Sequence, residues 1–140
     1  MSASVATSSS RPPLFARLMS FPAACFILTL VADMIYARSY DMMWESFSVW
    51  LLTFGLLAAL PFVLIGLFQA LAQRLWPSMA SRVGYAIVLL LSIINVFIHS
   101  RDGYTAVVPG GITLSAIVVV LLFAMWIVDV VTAPRRRAGI

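Results

Sequence analysis

The chain has 140 residues and is 63% hydrophobic, with a mean hydropathy of +1.06; soluble domains have about 45–50% apolar residues, so this is membrane composition. Its net charge of +4 rests on nine arginines and no lysine. They are scattered between and beyond the apolar runs rather than along one folded face, which excludes a nucleic-acid surface. A single cysteine, Cys25, excludes an intrachain disulfide and any CxxC metal or haem-attachment motif.

Residues 1–17 are rich in Ser, Ala, Thr and Pro with no periodic apolar positions, and read as a disordered tail. Ala23-Ala24-Cys25 resembles a lipoprotein cleavage site, but the cysteine stands at the start of the apolar run, where cleavage is not expected. A transmembrane domain over residues 18–133 then holds four apolar segments, predicted as helices at about 18–37, 47–72, 82–100 and 112–132. Ser20 can cap the first, and Pro22 is tolerated in its first turn. The second would span roughly 39 Å, more than a ~30 Å hydrocarbon core, so tilt or a kink at Pro61 is expected. Pro134 is expected to stop the fourth and open a basic tail at 134–140. The connections, Arg38–Ser46, Gln73–Ser81 and Arg101–Gly111, are short. The fold expected is therefore all-α, an up-down four-helix bundle in the membrane.

Arginine placement orients it. Arg11, Arg17, Arg74, Arg82, Arg135, Arg136 and Arg137 fall on one side, and only Arg38 and Arg101 on the other. Positively charged flanks stay inside, so both termini are expected in the cytoplasm of a bacterium, with the chain a multi-pass protein of the inner membrane.

The small and polar residues of each helix recur every three or four positions and are expected to face inward. These are Cys25, Thr29, Asp33, Tyr36 and Tyr40 on the first helix, and Ser48, Gly55, Ala59, Gly66, Gln69 and Gln73 on the second. Tyr85, Ser92, Asn95 and His99 follow on the third, and Ser115, Trp126 and Asp129 on the fourth. Asp33 lies roughly 22 Å along its helix from the cytoplasmic start and His99 roughly 26 Å along its own, within a turn of the same level in the outer leaflet. Ser115 is there too. A carboxylate in hydrocarbon is costly and needs partners; Asn95, His99 and Arg101 are the candidates.

Two readings of that level stay open. Asp33, Asn95 and His99 form an interhelical polar clamp, or they form a cofactor site for a quinone headgroup or proton transfer, with Tyr36, Tyr40, Trp44 and Tyr104 around its mouth. The clamp is the preferred reading. Asp129 is expected to pair near the cytoplasmic end with Gln69, Gln73, Arg17 or the terminal arginines.

Phe21-Pro22, LTLVAD at 28–33 with Tyr36, and MWESFSVWLLTFGLLAALPFVLIG at 43–66 are arranged in a telling order. With Asn95, Arg101 and LSAIVVVLL at 114–122, they give a chain that resembles the predicted bacterial membrane protein family called domain of unknown function 2231. That family tends to carry a histidine where Met19-Ser20 stand, another where Gly84-Tyr85 stand, and a Gly-Gly where Ile127-Val128-Asp129 stand. The resemblance implies a four-helix inner-membrane protein associated with redox partners, and any histidine-held cofactor of its relatives would here lack its ligands.

No nucleophile-base pair, HExxH spacing or phosphate-cradling glycine loop is present, so no enzyme is expected. His99 is the only histidine, which excludes a bis-His haem within one chain. The function expected is a non-catalytic subunit or scaffold for a membrane partner, in contact with the bilayer and able to form a homo-oligomer, with no cofactor. The alternative is an electron-transfer component that binds quinone, or haem with a partner chain, near Asp33 and His99 and serves a membrane or periplasmic redox protein.

Overall fold

The computed structural model describes residues 20–73, 79–101 and 107–137, without the side chains of residues 69, 70, 73, 80 and 132–137. Four helices make up this part: α1 (Ser20–Ser39), α2 (Met42–Gln73), α3 (Met79–His99) and α4 (Ile112–Arg137). All four are long and apolar enough to cross a bilayer. Each packs against two others: α1 against α2 and α4, and α3 against the same pair. With short connections, this is the expected antiparallel four-helix bundle.

The helices extend beyond the segments that hydropathy marks. Tyr40 takes a left-handed conformation (φ 55) that ends α1, while its N–H still donates to the Tyr36 carbonyl at 2.8 Å. Asp41 Oδ1 then accepts from the Met43 N–H at 2.9 Å, an N-cap that starts α2 at once. The first connection is thus two residues rather than the nine expected from Arg38 to Ser46. The polar Glu45 and Ser46, expected in that connection, lie in the first turns of α2, where a capped helix tolerates them. α3 starts three residues earlier than expected.

α4 also departs from expectation at both ends. It is entered through a helical turn at Val107–Gly111, broken at Val108, which is extended (φ −118, ψ 121). The helix then runs through Pro134 to Arg137. A proline deletes one backbone hydrogen bond, and here that does not end the helix.

One residue from each helix meets in the centre: Phe26, Leu52, Val88 and Val118, all 3% exposed or less. Gly55 lets α1 and α2 approach, because a Cβ there would stand 2.8 Å from Phe26 Cε1 and 3.1 Å from Cys25 Cβ. Beyond this layer the two ends differ. Toward the end holding the α1–α2 and α3–α4 connections (the far end), the interior is polar and closed. Toward the end where α1 starts and α4 finishes (the terminal end), the helices loosen. No described side chain of α2 after Ala59, of α4 after Val118, or of α3 before Val88 is buried.

Candidate functional site

The polar interior of the far half is built around the Asp33 carboxylate, which is fully buried. It receives one side chain from each of the other helices. Ser48 Oγ on α2 donates to Oδ1 at 2.5 Å, and Ser115 Oγ on α4 donates to Oδ2 at 2.6 Å. His99 Nε2 on α3 lies 3.0 Å from Oδ1. Asn95 joins at one remove: its Nδ2 donates to Ser115 Oγ at 2.8 Å. Because the single Ser115 proton goes to Asp33, that oxygen must accept from Asn95, which fixes the orientation of the amide.

The same reasoning places the protons of His99. Its Nδ1 lies 2.9 Å from the Asn95 carbonyl oxygen, which can only accept, so Nδ1 carries a hydrogen. Nε2 then either donates to an Asp33 carboxylate or accepts from an Asp33 carboxylic acid. Both arrangements share one proton between the two residues and leave the pair without net charge. A pair without net charge, hydrogen-bonded from the neighbouring helices, is the form in which acid and imidazole are tolerated inside an apolar bundle.

Local sequence explains the convergence. Thr29 and Asp33 are one turn apart on α1, and Asn95 and His99 one turn apart on α3, so each pair shares a face. Gly111 completes the pocket for the imidazole: a Cβ at that position would stand 2.6 Å from His99 Cε1. Thr29 turns its hydroxyl back to the Cys25 carbonyl at 2.9 Å, and its own carbonyl oxygen lies 3.5 Å from Ser48 Oγ. Among the described residues, Ser92 Oγ and Asn95 Oδ1 are buried without a hydrogen-bond partner.

Of the three residues singled out from the sequence, the structure brings Asp33 and His99 into contact and links Asn95 through Ser115. Arg101, the remaining candidate, is exposed and makes no ion pair with Asp33. Ser48 lies on the expected inward stripe, and the structure makes it a donor to the carboxylate as well. A serine on a helix is a weak signal until the facing helix is known. Glu45, inside the connection expected at Arg38–Ser46, is instead a buried acid, 7% exposed and one turn before Ser48 on α2. Its i, i+3 spacing from Ser48 could have found it.

Of the aromatic residues expected around the site, Tyr36 is buried and meets Tyr40 edge-on at 6.4 Å, while Tyr40 is itself 68% exposed. The expected burial of the inward stripe fails at the terminal end, where Trp126 is 62% exposed and Asp129 is exposed as well. The proposed partners of Asp129 (Arg17, Gln69, Gln73 and the terminal arginines) lie outside the described side chains, as do Tyr104 and the tail at 1–17. Met125 packs against Gly84, where a Cβ would stand 2.6 Å from its Sδ.

Within the described residues no group of three or more His, Cys, Asp or Glu side chains is arranged to hold a metal ion. Asp33, Asn95 and His99 are 0, 0 and 3% exposed.

The sequence matches the family described as Predicted membrane protein (DUF2231) over residues 11–127. No curated protein and no solved structure matches it. The match takes in α1, α2, α3 and most of α4, together with the whole Asp33 cluster, and the chain belongs to this family of predicted membrane proteins.

Proposed function

We propose that the protein is a non-catalytic integral-membrane subunit or scaffold, set in the bacterial inner membrane with both termini cytoplasmic. One observation carries this reading. The strongest polar group of the interior, Asp33, gives its hydrogen-bonding capacity to Ser48, Ser115 and His99 and is fully buried. The chemistry that could have acted on a ligand is used to hold α1 against the three other helices. Polar bonds between membrane helices contribute about 0.6–2 kcal/mol each and select which helices pair and in what register.

The arginine distribution supports the orientation, since the excess lies on the side of the termini. Large apolar side chains such as Leu57, Leu64, Phe97 and Val120 stand outward and suit contact with lipid or with another membrane protein.

The test is purification from mildly solubilised membranes, with mass spectrometry and a visible spectrum on one sample. A stoichiometric partner and no Soret band are expected. A chain that purifies alone and stable overturns the scaffold reading. A Soret band, or quinone in the lipid extract, favours electron transfer instead.

A further inference from the structure

The terminal end holds an open cleft between α1 and α4, with a cavity volume of about 430 Å³, a size common among small-molecule sites. On α1 it is lined by Ser20, Ala23, Ala24 and Ile27, a single stripe at helical spacing. Tyr85 of α3 also lines it, and Phe123, Trp126 and Asp129 of α4 face the α1 stripe. The lining is graded along the bundle axis. Ser20 and Asp129 lie at the end of the spans, Asp129 two residues before the span finishes at Val131. Ile27 and Phe123 lie deeper, so the apolar wall extends roughly 10 Å from Ser20 to Ile27. No basic side chain is among the described residues lining it.

We infer that this cleft binds a lipophilic organic cation, with its positive centre beside the Asp129 carboxylate and its apolar body against Ile27, Phe123 and Trp126. The chemistry is that of charge complementarity in an aromatic setting. A carboxylate, a phenol and an indole at one end favour a weakly hydrated cation, which gains from both the charge and the ring faces. An anionic headgroup would be repelled by Asp129, and an uncharged hydrocarbon would leave Asp129 unused. Small residues at Ala23 and Ala24 keep the α1 wall open. Trp126 and Phe123, 62% and 52% exposed, leave it accessible from the lipid side. This site is distinct from the Asp33 cluster, which lies in the other half of the bundle.

The probe is tetraphenylphosphonium, measured by equilibrium binding to the full chain in dodecyl maltoside micelles. Tetraphenylborate, the same shape with the opposite charge, is the control. Saturable binding of the cation is expected. Asp129→Asn should weaken it about tenfold or more, the scale of one charge-assisted contact. Ile27→Trp, which fills the deep end without touching the charge, should weaken it to a similar degree. Thermal unfolding of each variant checks that the fold is intact. Non-saturable uptake, equal binding of tetraphenylborate, or wild-type affinity in Asp129→Asn would each overturn the inference. Absence of binding, as when the terminal arginines occupy Asp129, overturns it as well.

Discussion

The two halves of the bundle solve the same packing problem differently. In the far half, α1, α2, α3 and α4 are tied through one carboxylate, and Thr29, Ser48, Asn95 and Ser115 are buried with it. In the terminal half no described side chain of α2 after Ala59, of α3 before Val88 or of α4 after Val118 is buried. Inside a bilayer, apolar side chains gain little by leaving lipid for one another, so association depends on close packing and interhelical hydrogen bonds. The far half has both, and it is closed. The terminal half is richer in apolar side chains and less tightly joined, the reverse of what burial rules for water-soluble proteins would suggest.

Removing the carboxylate should break the difference outright. Asp33→Ala leaves Ser48, Ser115 and His99 without their acceptor, and loss of one partner from a buried charged pair costs about 3–5 kcal/mol. Denaturant unfolding in micelles should register a loss of that order. Asp33→Asn, which keeps the shape and part of the bonding, should lose about 1–2 kcal/mol. If both variants match the wild type, the cluster is not what holds the far half.

Truncation of one leucine in each region compares the packing directly. Leu52, 2% exposed, sits in the central layer, whereas Leu64 on the same helix is 56% exposed. Leu52→Ala should cost about 2–4 kcal/mol through the cavity it opens, and Leu64→Ala less than about 0.5 kcal/mol. Equal losses would mean that the terminal half is packed in the membrane as tightly as the centre.

Two glycines sharpen the contrast further, because a Cβ at either one meets a neighbour at the same 2.6 Å. At Gly111 that neighbour is the His99 ring, held at both nitrogens by Asn95 and Asp33. At Gly84 it is Met125 Sδ, the end of a flexible side chain. Gly111→Ala should cost about 1–3 kcal/mol as overpacking against a fixed group, and Gly84→Ala well under that. Retention of the His99 ring signals by NMR in Gly111→Ala would contradict the account.

The smallest effect belongs to the tight connection that caps the closed half. Tyr40, at φ 55, occupies a conformation that glycine adopts without strain. Tyr40→Gly relieves about 1–2 kcal/mol of left-handed strain but deletes the ring contact with Tyr36, about 0.5–1.5 kcal/mol, so the unfolding midpoint should move little. A large downward shift would show that the ring contact outweighs the strain.

Much of this was legible from residue order. Hydropathy located four spans, and a rise of 1.5 Å per residue put Asp33 and His99 at one level before any contact was known. The signals were strong because an acid and an imidazole in apolar runs have few places to go. Glu45 and the extent of α2 escaped because polar residues at a helix start look like loop, and Asp41 acts as a cap only once the chain turns there. The exposure of Trp126 and Asp129 escaped for a different reason. Helical spacing puts residues on one stripe, but it does not say whether the neighbouring helix is still close enough to cover that stripe.

The sequence by itself determined the number of spans, their apolar character and the need for Asp33 to find partners, because these follow from the cost of polar groups in hydrocarbon. It also carried the family match, which depends on residue order alone. Only the tertiary structure decided that the partners are Ser48, Ser115 and His99 together, that Asn95 acts through Ser115, and that Arg101 stays outside. Those choices depend on helix rotation and separation, and a turn of a few tens of degrees in any one helix would assign the same carboxylate to different neighbours.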